Sequence, residues 1–277
     1  MKVVVTGKNG SLSTMLSKKL GEQYDVIQIS VRGNLSDECI PNQTDCVVHI
    51  AGVTPANVKN PEDYETVNVE KTKILYQICQ SKKVKHFVYI SSMSVYEGYF
   101  NKLIHKDIDK KTPCMPISPY ARSKFRAEKA IIDGYDDNMY YTIIRVPSLY
   151  DQNKTEYFKG YSALVNSYPI IPLSPFAGKC SILHTENLCA LIQQLIEQPV
   201  AENQIILPQD EKAVTSNLII KKIIKRLEKN KRTTYVGGLL LHLASMVIPR
   251  YRIFRSIRYA EKDSVIVNKA SIDDIVL

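Results

Sequence analysis

The sequence Lys2-Val-Val-Val-Thr-Gly-Lys-Asn-Gly-Ser-Leu-Ser13 joins an apolar run directly to a short loop that contains two glycines. The run is typical of a buried parallel strand. Leu12, Leu16 and Leu20 then recur at helical spacing, so we expect a helix after the loop. A strand, a tight glycine turn and a helix whose free N–H groups face that turn predict a site for the diphosphate of a dinucleotide.

The two glycines of this loop have different predicted uses. Gly7 would permit the tight turn and Gly10 the close approach of backbone to phosphate, whereas Ser13 occupies the third glycine position. An ordinary strand-to-helix loop is the alternative, but the position directly after the first strand favours dinucleotide binding. The residues assigned to the diphosphate loop are Thr6, Gly7, Lys8, Asn9, Gly10, Ser11 and Leu12.

The second predicted strand, residues 24–30, ends where the adenosine ribose is expected. A carboxylate at that place selects NAD, because it binds the ribose hydroxyls and repels a 2′-phosphate. Ser30 stands there instead, Arg32 follows two residues later, and Lys8 lies in the glycine loop. These groups suit a phosphate, so NADP(H) is favoured and NAD(H) is the alternative. Arg32 and Lys8 as solvated surface charges remain the other interpretation.

Tyr120 and Lys124 are four residues apart in a predicted helix and therefore lie on one face of it. A nearby ammonium favours a phenolate and lowers the tyrosine pKa from its usual value of about 10. Ser118-Pro119 predicts a helix N-cap followed by proline at the first helical position, so Tyr120 falls in the first turn. The motif also arises by chance in a lysine-rich chain, so the pair alone identifies carbonyl/alcohol oxidoreductase chemistry only weakly.

The segment Tyr89-Ile-Ser-Ser-Met-Ser-Val-Tyr96 lies at a predicted strand end and supplies a third candidate catalytic residue, Ser92. A hydroxyl that only caps the strand end is the alternative interpretation of Ser92, since three serines crowd this stretch.

Together these motifs resemble the extended short-chain dehydrogenases/reductases, in the NAD-dependent nucleotide-sugar epimerase/dehydratase group. The similarity runs in register from Met1 to about Asn187. Glu70 and Lys71 depart from the family pattern around its usual glycine. The other segments that carry the resemblance are Asp45-Cys-Val-Val-His-Ile-Ala-Gly52, Asn68-Val69 with Thr72, Val95-Tyr96, and Arg145-Val-Pro-Ser-Leu-Tyr150.

The resemblance implies a role for each member of the catalytic set. Lys124 would bind the nicotinamide ribose, Tyr120 would exchange a proton with the sugar oxygen, and Ser92 would orient that oxygen. Further cofactor contacts are implied for Ala51, Gly52, Asn68, Ser91 and Val146. The substrate contacts implied are Ser92, Ser94, Tyr120, Arg252 and Arg255.

Strand and helix patterns alternate through about residue 146, which predicts an α/β fold: a Rossmann-type doubly wound parallel sheet with a small C-terminal substrate-binding lobe. We expect an NAD(P)-binding domain over 1–150, carrying the catalytic residues, and a smaller, partly interleaved lobe over 151–277. The predicted helices cover 61–81, 120–132, 186–197 and 215–229, and predicted strands include 86–91 and 140–145.

Composition favours a cytoplasmic enzyme. The chain has 277 residues and a formal net charge of +9, and its six cysteines lack metal-site spacing, so no metal is expected. No signal peptide is predicted because Met1 leads directly into the first strand. The apolar stretch 238–248 is too short to span a bilayer. A basic helix near 221–232 is expected to face solvent rather than nucleic acid, and His49 and His184 are expected to be structural.

The favoured function is a 4-keto-sugar reductase acting on a nucleotide-linked sugar, because NADPH suits a cofactor that arrives reduced and leaves oxidised. A nucleotide-sugar 4-epimerase with retained NAD is one alternative, and a non-catalytic NAD(P)-binding regulatory protein is another. A dehydratase is disfavoured because Met93-Ser94 supplies no acidic pair. The resemblance also implies polysaccharide biosynthesis and a homodimer formed through the helix that carries Tyr120 and Lys124.

Overall fold

The computed structural model describes residues 1–100, 108–151, 159–175, 177–198, 203–210 and 213–236. Two compact units make up the chain. Unit 1 comprises Met1–Gly98, Lys110–Pro147 and Thr185–Pro208. Unit 2 comprises the described residues within three ranges, which are Tyr99–Asp109, Ser148–His184 and Gln209–Leu277.

The described residues form short strands and helices that alternate along the chain. The strands are β1 Lys2–Thr6, β2 Asp25–Ile29, β3 Cys46–His49, β4 His86–Ser92, β5 Tyr140–Val146, β6 Ser148–Tyr150, β7 Ile170–Leu173, β8 Lys179–Cys180, β9 Ile182–His184, β10 Gln204–Ile206, β11 Val214–Thr215 and β12 Arg232–Tyr235. The α-helices are α1 Ser11–Leu20, α2 Lys71–Ser81, α3 Glu97–Phe100, α4 Pro119–Asp133, α5 Lys159–Ser167, α6 Thr185–Glu197 and α7 Ser216–Arg226. There are also 3₁₀ turns at Asp37–Cys39 and Met93–Tyr96 and a π-helix at Tyr64–Glu70.

Within the described part of unit 1, six strands form one parallel sheet in the order β10-β5-β4-β3-β1-β2. The strand order reverses beside β1, where the chain crosses from one half of the sheet to the other. In open sheets of this kind, ligands bind outside the carboxyl ends of the strands at such a reversal. The sheet confirms the predicted Rossmann-type α/β fold.

The core of unit 1 accounts for the apolar runs in its sequence. Val3, Val4 and Val5 of β1 are fully buried, as expected for a strand covered on both faces. Leu16 and Leu20 of α1 are also fully buried. On the other face of the sheet, a buried cluster joins strand residues to α2 and α4 and includes Val47, Leu75, Phe87, Ala127 and Ile131.

The observed bounds differ from the predicted ones mainly in one helix. The pattern over 61–81 is divided into the π-helix Tyr64–Glu70 and α2. π-Helices are rare, and hydrophobic spacing does not distinguish them from α-helix. The strand predicted at 86–91 corresponds to β4, which is one residue longer. The helix predicted at 120–132 corresponds to α4, which extends one residue further at each end.

Unit 2 has its own smaller core. β7 and β12 pair in parallel, as do β6 and β9, whereas β8 and β11 pair antiparallel. α5 and α7 contribute apolar side chains to one buried cluster with β7, among them Leu164, Val165, Ile171, Ile219 and Ile220. The basic residues of α7 lie on its exposed side, as its sequence pattern predicts.

The division into units differs from the predicted boundary at residue 150. Residues 185–208 belong to unit 1, because β10 adds the sixth strand beside β5 and the apolar side of α6 is buried. The two units therefore alternate along the sequence more extensively than the predicted, partly interleaved lobe over 151–277.

The described part of the chain bears on two predicted absences, of a metal site and of a membrane span. All six cysteines are free, and three of them, Cys46, Cys79 and Cys189, are buried. No group of three or more His, Cys, Asp or Glu side chains among the described residues is arranged to hold a metal ion. No helix in the described ranges has the length and apolar character needed to cross a membrane. The stretch 238–248 lies outside them.

Candidate active site

The glycine loop meets the end of β2 at the carboxyl edge of the sheet. The backbone N–H groups of Gly7 and Lys8 both donate to the carbonyl oxygen of Ile29, at 3.0 and 3.2 Å. Gly7 has φ +96° and Asn9 has φ +72°, so the loop turns through the left-handed region twice. This conformation suits glycine and is tolerated by asparagine.

Ser13 occupies the third glycine position of the loop, and its side chain hydrogen-bonds to the loop backbone. Its hydroxyl donates to the carbonyl oxygen of Gly7 at 2.5 Å and lies 3.0 Å from that of Gly10. A Cβ atom on Gly10 would lie 2.9 Å from the Ser13 Oγ atom and 3.0 Å from the Gly7 oxygen, so Gly10 has no room for a side chain. Ser13 thus closes the loop over the start of α1.

The amino end of α1 fits a diphosphate. Among the described residues, no side chain caps this end, and the first turn carries no acidic residue. Backbone N–H groups and the positive end of the helix dipole therefore face the loop, which is how helices bind phosphate. Together with the Gly10 contact distances, this arrangement fits the diphosphate of a nicotinamide dinucleotide.

Thr6 and His49 join the glycine loop to the end of β3. The Thr6 hydroxyl accepts from the N–H groups of Ile50 and Ala51, each at 3.0 Å, and its oxygen lies 2.8 Å from the His49 Nδ1 atom. Burial lowers the pKa of His49 to about 3. His49 is therefore a neutral core histidine, as predicted, and the Thr6 side chain acts inside the fold.

Asn68 holds the segment after β3 in place. Its Oδ1 atom accepts from the Val53 N–H at 2.7 Å, and its Nδ2 atom donates to the Val53 oxygen and to the Ser123 hydroxyl, both at 3.0 Å. A Cβ atom on Gly52 would lie 2.9 Å from the Asn68 Oδ1 atom and 3.8 Å from the Lys124 Nζ atom. The Ala51-Gly52 segment therefore passes directly beside Lys124.

The structure brings Ser92 and Tyr120 together. Ser92 ends β4, and its hydroxyl lies close enough to the Tyr120 phenol to favour the phenolate and lower the pKa of Tyr120. The Ser92 Oγ atom also accepts from the Ser94 N–H at 3.1 Å. At the start of α4, Ser118 is the N-cap, and its Oγ atom accepts from the Ala121 N–H at 3.2 Å, which fixes Tyr120 in the first turn. Ser92 thus caps the 3₁₀ turn that follows β4, and its hydroxyl is also the neighbour of the Tyr120 phenol.

The ionisation of Tyr120 differs from the sequence prediction. Burial raises its pKa above 10, the nearby Ser92 hydroxyl opposes this rise, and the neighbouring Tyr64 phenol adds to it. The Tyr64 and Tyr120 ring centroids lie 6.0 Å apart. The predicted lowering of this pKa by Lys124 is therefore wrong for this structure, in which partial burial of the phenol has the largest effect and Lys124 is not among the groups that shift the pKa.

Lys124 lies almost completely buried beneath the site. Its Nζ atom donates to the Ile90 carbonyl oxygen at 2.8 Å and to the Tyr89 hydroxyl at 3.2 Å. Burial lowers its pKa to about 8, although Glu128 opposes the effect. The amine is therefore still mainly an ammonium at neutral pH.

Near Ser92, Tyr120 and Lys124 lies a buried polar network that the sequence interpretation missed. Arg145 and Glu128 form an ion pair at 2.7 Å, and both side chains are almost fully buried. Arg145 also donates to the Tyr96 hydroxyl. Glu128 follows Lys124 by four residues, so it continues the helix face of Tyr120 and Lys124, and that spacing was an available signal.

Two predicted contact residues have their hydroxyls buried within the protein. Ser91 was predicted to contact the cofactor, but its side chain is buried and donates to Glu128, because alternate residues of a strand point to opposite faces. The Ser94 Oγ atom is also buried and has no hydrogen-bond partner among the described residues. The hydroxyl of Ser92, between them, is the one that reaches Tyr120.

The remaining predicted residues lie at the edges of this site or beyond the described ranges. Ser30, Arg32 and Lys8 are exposed at the adenosine end, and the Ser30 hydroxyl accepts from the Arg32 N–H at 3.1 Å. Val146 is half-buried at the end of β5. The predicted substrate residues Arg252 and Arg255 lie outside the described residues.

Comparison with known proteins gives a family for this sequence and fold. Residues 3–202 match the model of the NAD dependent epimerase/dehydratase family. A curated relative, D-erythronate dehydrogenase of Haemophilus influenzae, is 28% identical over 181 residues, which are 54% of this chain and 55% of that protein. The chain spans about half the length of this relative and smaller shares of the other curated relatives that it matches.

Solved structures share the fold. UDP-glucuronic acid 4-epimerase from Bacillus cereus, solved in complex with NAD, has a TM-score of 0.71 at 18% identity, with 86% of this chain and 88% of that chain covered. dTDP-4-dehydrorhamnose reductase from Bacillus anthracis, solved in complex with NADP, has a TM-score of 0.66 at 20% identity, with 85% and 84% covered. Similarity at this level supports the fold alone.

Proposed function

Because the chain belongs to the NAD-dependent epimerase/dehydratase family, we propose that it is an NAD(P)-dependent oxidoreductase that acts on a nucleotide-linked sugar as a 4-keto-sugar reductase. The observation that carries this proposal is the nearness of the Ser92 hydroxyl to the Tyr120 phenol, with Lys124 one helical turn from Tyr120 and the glycine loop at the same edge of the sheet. These are the groups that carbonyl reduction needs: a proton donor, a group that orients the carbonyl, and a place for a hydride donor.

The cofactor would be held by the loop and strand ends described above. The first turn of α1 would bind the diphosphate, the Ala51-Gly52 segment would lie along the dinucleotide, and Lys124 would bind the nicotinamide ribose. When bound, the reduced nicotinamide supplies a hydride to the carbonyl carbon.

The protonation of Tyr120 favours the reductive direction. Because burial raises the pKa of its phenol above 10, Tyr120 is protonated at neutral pH and is ready to donate to a carbonyl oxygen. The Ser92 hydroxyl would orient that oxygen. The Lys124 ammonium would stabilise the phenolate left after proton transfer.

The adenosine end favours NADPH over NADH. Ser30 stands where a carboxylate would select NAD, and the exposed Arg32 and Lys8 side chains lie on the two loops joined at the Ile29 oxygen. Arginine and lysine suit a 2′-phosphate through charge-assisted hydrogen bonds. A reductase that receives a reduced cofactor and releases it oxidised would use such a site.

The class of substrate rests on the family and on the printed names of relatives. The Bacillus cereus epimerase acts on UDP-glucuronic acid, and the Bacillus anthracis enzyme is named for a dTDP-linked dehydro sugar. The Haemophilus influenzae relative is named for D-erythronate, a sugar acid. Oxidation of a sugar acid by the same three residues is therefore the second candidate function. A homodimer, a cytoplasmic location and a place in polysaccharide biosynthesis stay predictions.

The test offers the purified protein three substrates in turn. A UDP-4-keto sugar is supplied with NADPH, a UDP-hexose with NAD, and D-erythronate with NAD. Net consumption of NADPH supports the reductase. Isomerisation of the sugar without net cofactor consumption supports the epimerase, production of NADH from D-erythronate supports the second candidate, and cofactor binding without turnover supports a regulatory protein.

A further inference from the structure

We propose that Lys71 is a cofactor-specificity residue, which shapes the loop after β2 to hold Arg32 toward a 2′-phosphate. The inference rests on the proposed use of NADPH and adds a residue outside the loop itself. Lys71 is the first residue of α2, and it is one of the two residues that depart from the family pattern around its usual glycine. Its side chain is half-buried.

Lys71 binds the loop on both sides of Arg32. Its Nζ atom donates to the carbonyl oxygen of Val31 at 2.8 Å and also to the carbonyl oxygen of Gly33. Arg32 is the residue between these two carbonyls, and its own N–H donates to the Ser30 hydroxyl at 3.1 Å. The backbone around Arg32 is therefore fixed by three hydrogen bonds.

The loop conformation depends on a cation at this place. Two carbonyl oxygens converge on one ammonium, and without that charge their dipoles would repel each other. Gly33 has φ +85°, a left-handed conformation that turns its carbonyl toward the same amine as that of Val31. Hydrogen bonds from an ammonium to carbonyl oxygens are charge-assisted, so they are stronger than neutral ones.

The loop has few other attachments. The side chain of Val31 is buried in the core of unit 1, whereas Arg32, Gly33 and Asn34 are exposed. Loss of the Lys71 contacts would therefore leave these three residues free to move. Binding of NADP would then have to order these residues again, and the entropic cost of that ordering would lower the affinity for NADP. NAD has no 2′-phosphate for Arg32 to bind, so its affinity depends less on this loop.

The experiment compares Lys71→Met with Lys73→Met. Lys73 is an exposed lysine two residues later on the same helix, so the control removes the same charge without touching the loop. Dissociation constants for NADP and NAD are measured by calorimetry, and hydrogen–deuterium exchange is measured on a peptide covering residues 30–34. Thermal unfolding of each variant checks that it is folded, and Lys71→Gln serves as a second variant if the methionine variant is not.

We expect Lys71→Met to weaken NADP binding about tenfold and NAD binding by less than about twofold, with faster exchange at residues 32–34. Lys73→Met should change neither. An unchanged ratio of NADP to NAD affinity in the Lys71 variants overturns the inference, whatever the exchange rates. The proposed use of NADPH is tested separately, on the unmodified protein. If that protein prefers NAD, the proposed use of NADPH is contradicted, whereas the role of Lys71 in ordering the loop is not.

Discussion

The Nζ atom of Lys124 donates to the hydroxyl of Tyr89 at 3.2 Å, and the same amine lies 4.6 Å from the centre of the Tyr89 ring. Tyr89 is fully buried in β4, three residues before Ser92. Thr72 lies near the Tyr89 hydroxyl, and its own hydroxyl lies 2.9 Å from the His49 Nε2 atom. Lys124, the proposed catalytic lysine, therefore lies beside buried polar side chains that continue through His49 to Thr6 at the end of β1.

The first prediction concerns Tyr89→Phe. The substitution removes the acceptor for Lys124 but keeps the ring, so the amine loses one of the two hydrogen bonds recorded for it. We expect reductive kcat to fall about tenfold and the free energy of unfolding to fall by about 1 kcal/mol. Cofactor-dependent turnover and urea unfolding measure the two effects.

Tyr141→Phe is the matched control, because Tyr141 packs its ring edge against Tyr135 away from the catalytic residues. It should leave kcat unchanged. Equal losses of kcat in the two variants would mean that Tyr89 acts only through general stability.

The second prediction concerns the pH dependence of stability in Lys124→Met. The folded-state pKa of Lys124 is lowered from 10.5 to about 8, so burial of its charge opposes folding below pH 8. This penalty disappears as the pH rises from about 8 to about 10.5, where the unfolded chain also loses the proton. Stability of the unmodified protein relative to Lys124→Met should therefore rise over that range, by up to about 3 kcal/mol.

Urea unfolding of both proteins at pH 7.5 and at pH 10.5 measures this difference. A constant difference between the two proteins would show that Lys124 has an ordinary pKa in the folded state.

The third prediction compares two ion pairs, each of which has one partner on α4: one pair is buried and the other is exposed. Glu128→Gln leaves the Arg145 guanidinium buried without a carboxylate, and we expect a loss of about 3 kcal/mol in the free energy of unfolding. Glu65→Gln breaks the exposed pair between Arg126 and Glu65 and should cost less than about 1 kcal/mol. Denaturant unfolding measures both, and similar losses in the two variants would contradict the importance of burial for the Glu128–Arg145 pair.

Local sequence signals predicted much of this molecule. The apolar run of β1, the loop glycines and the Ser118-Pro119 start of α4 act over a few residues, so their spacing is visible in the chain. Ser92, Tyr120 and Lys124 were proposed in this way, with the family resemblance selecting Ser92 among neighbouring serines.

Contacts between distant residues were not predictable by the same means. Lys71 and Gly33 are 38 residues apart, and Asn68 and Ser123 are 55 apart, so only the packing of the fold pairs them. The pKa of Tyr120 was predicted in the wrong direction for the same reason, because its burial depends on tertiary structure. A partly interleaved lobe was predicted from the sequence, but the return of residues 185–208 to unit 1 was not, because it depends on the pairing of β10 with β5.

The most direct test of the account is NADPH consumption with a UDP-4-keto sugar, measured for the unmodified protein and for Tyr120→Phe. Tyr120→Phe removes the acidic proton while the glycine loop and Lys124 remain, so we expect turnover to fall at least about a hundredfold with an NADPH dissociation constant within about twofold of the original. Retained turnover in Tyr120→Phe would contradict the assignment of Tyr120 as the proton donor, and an unmodified protein that binds NADPH but reduces no keto sugar would contradict the proposed function.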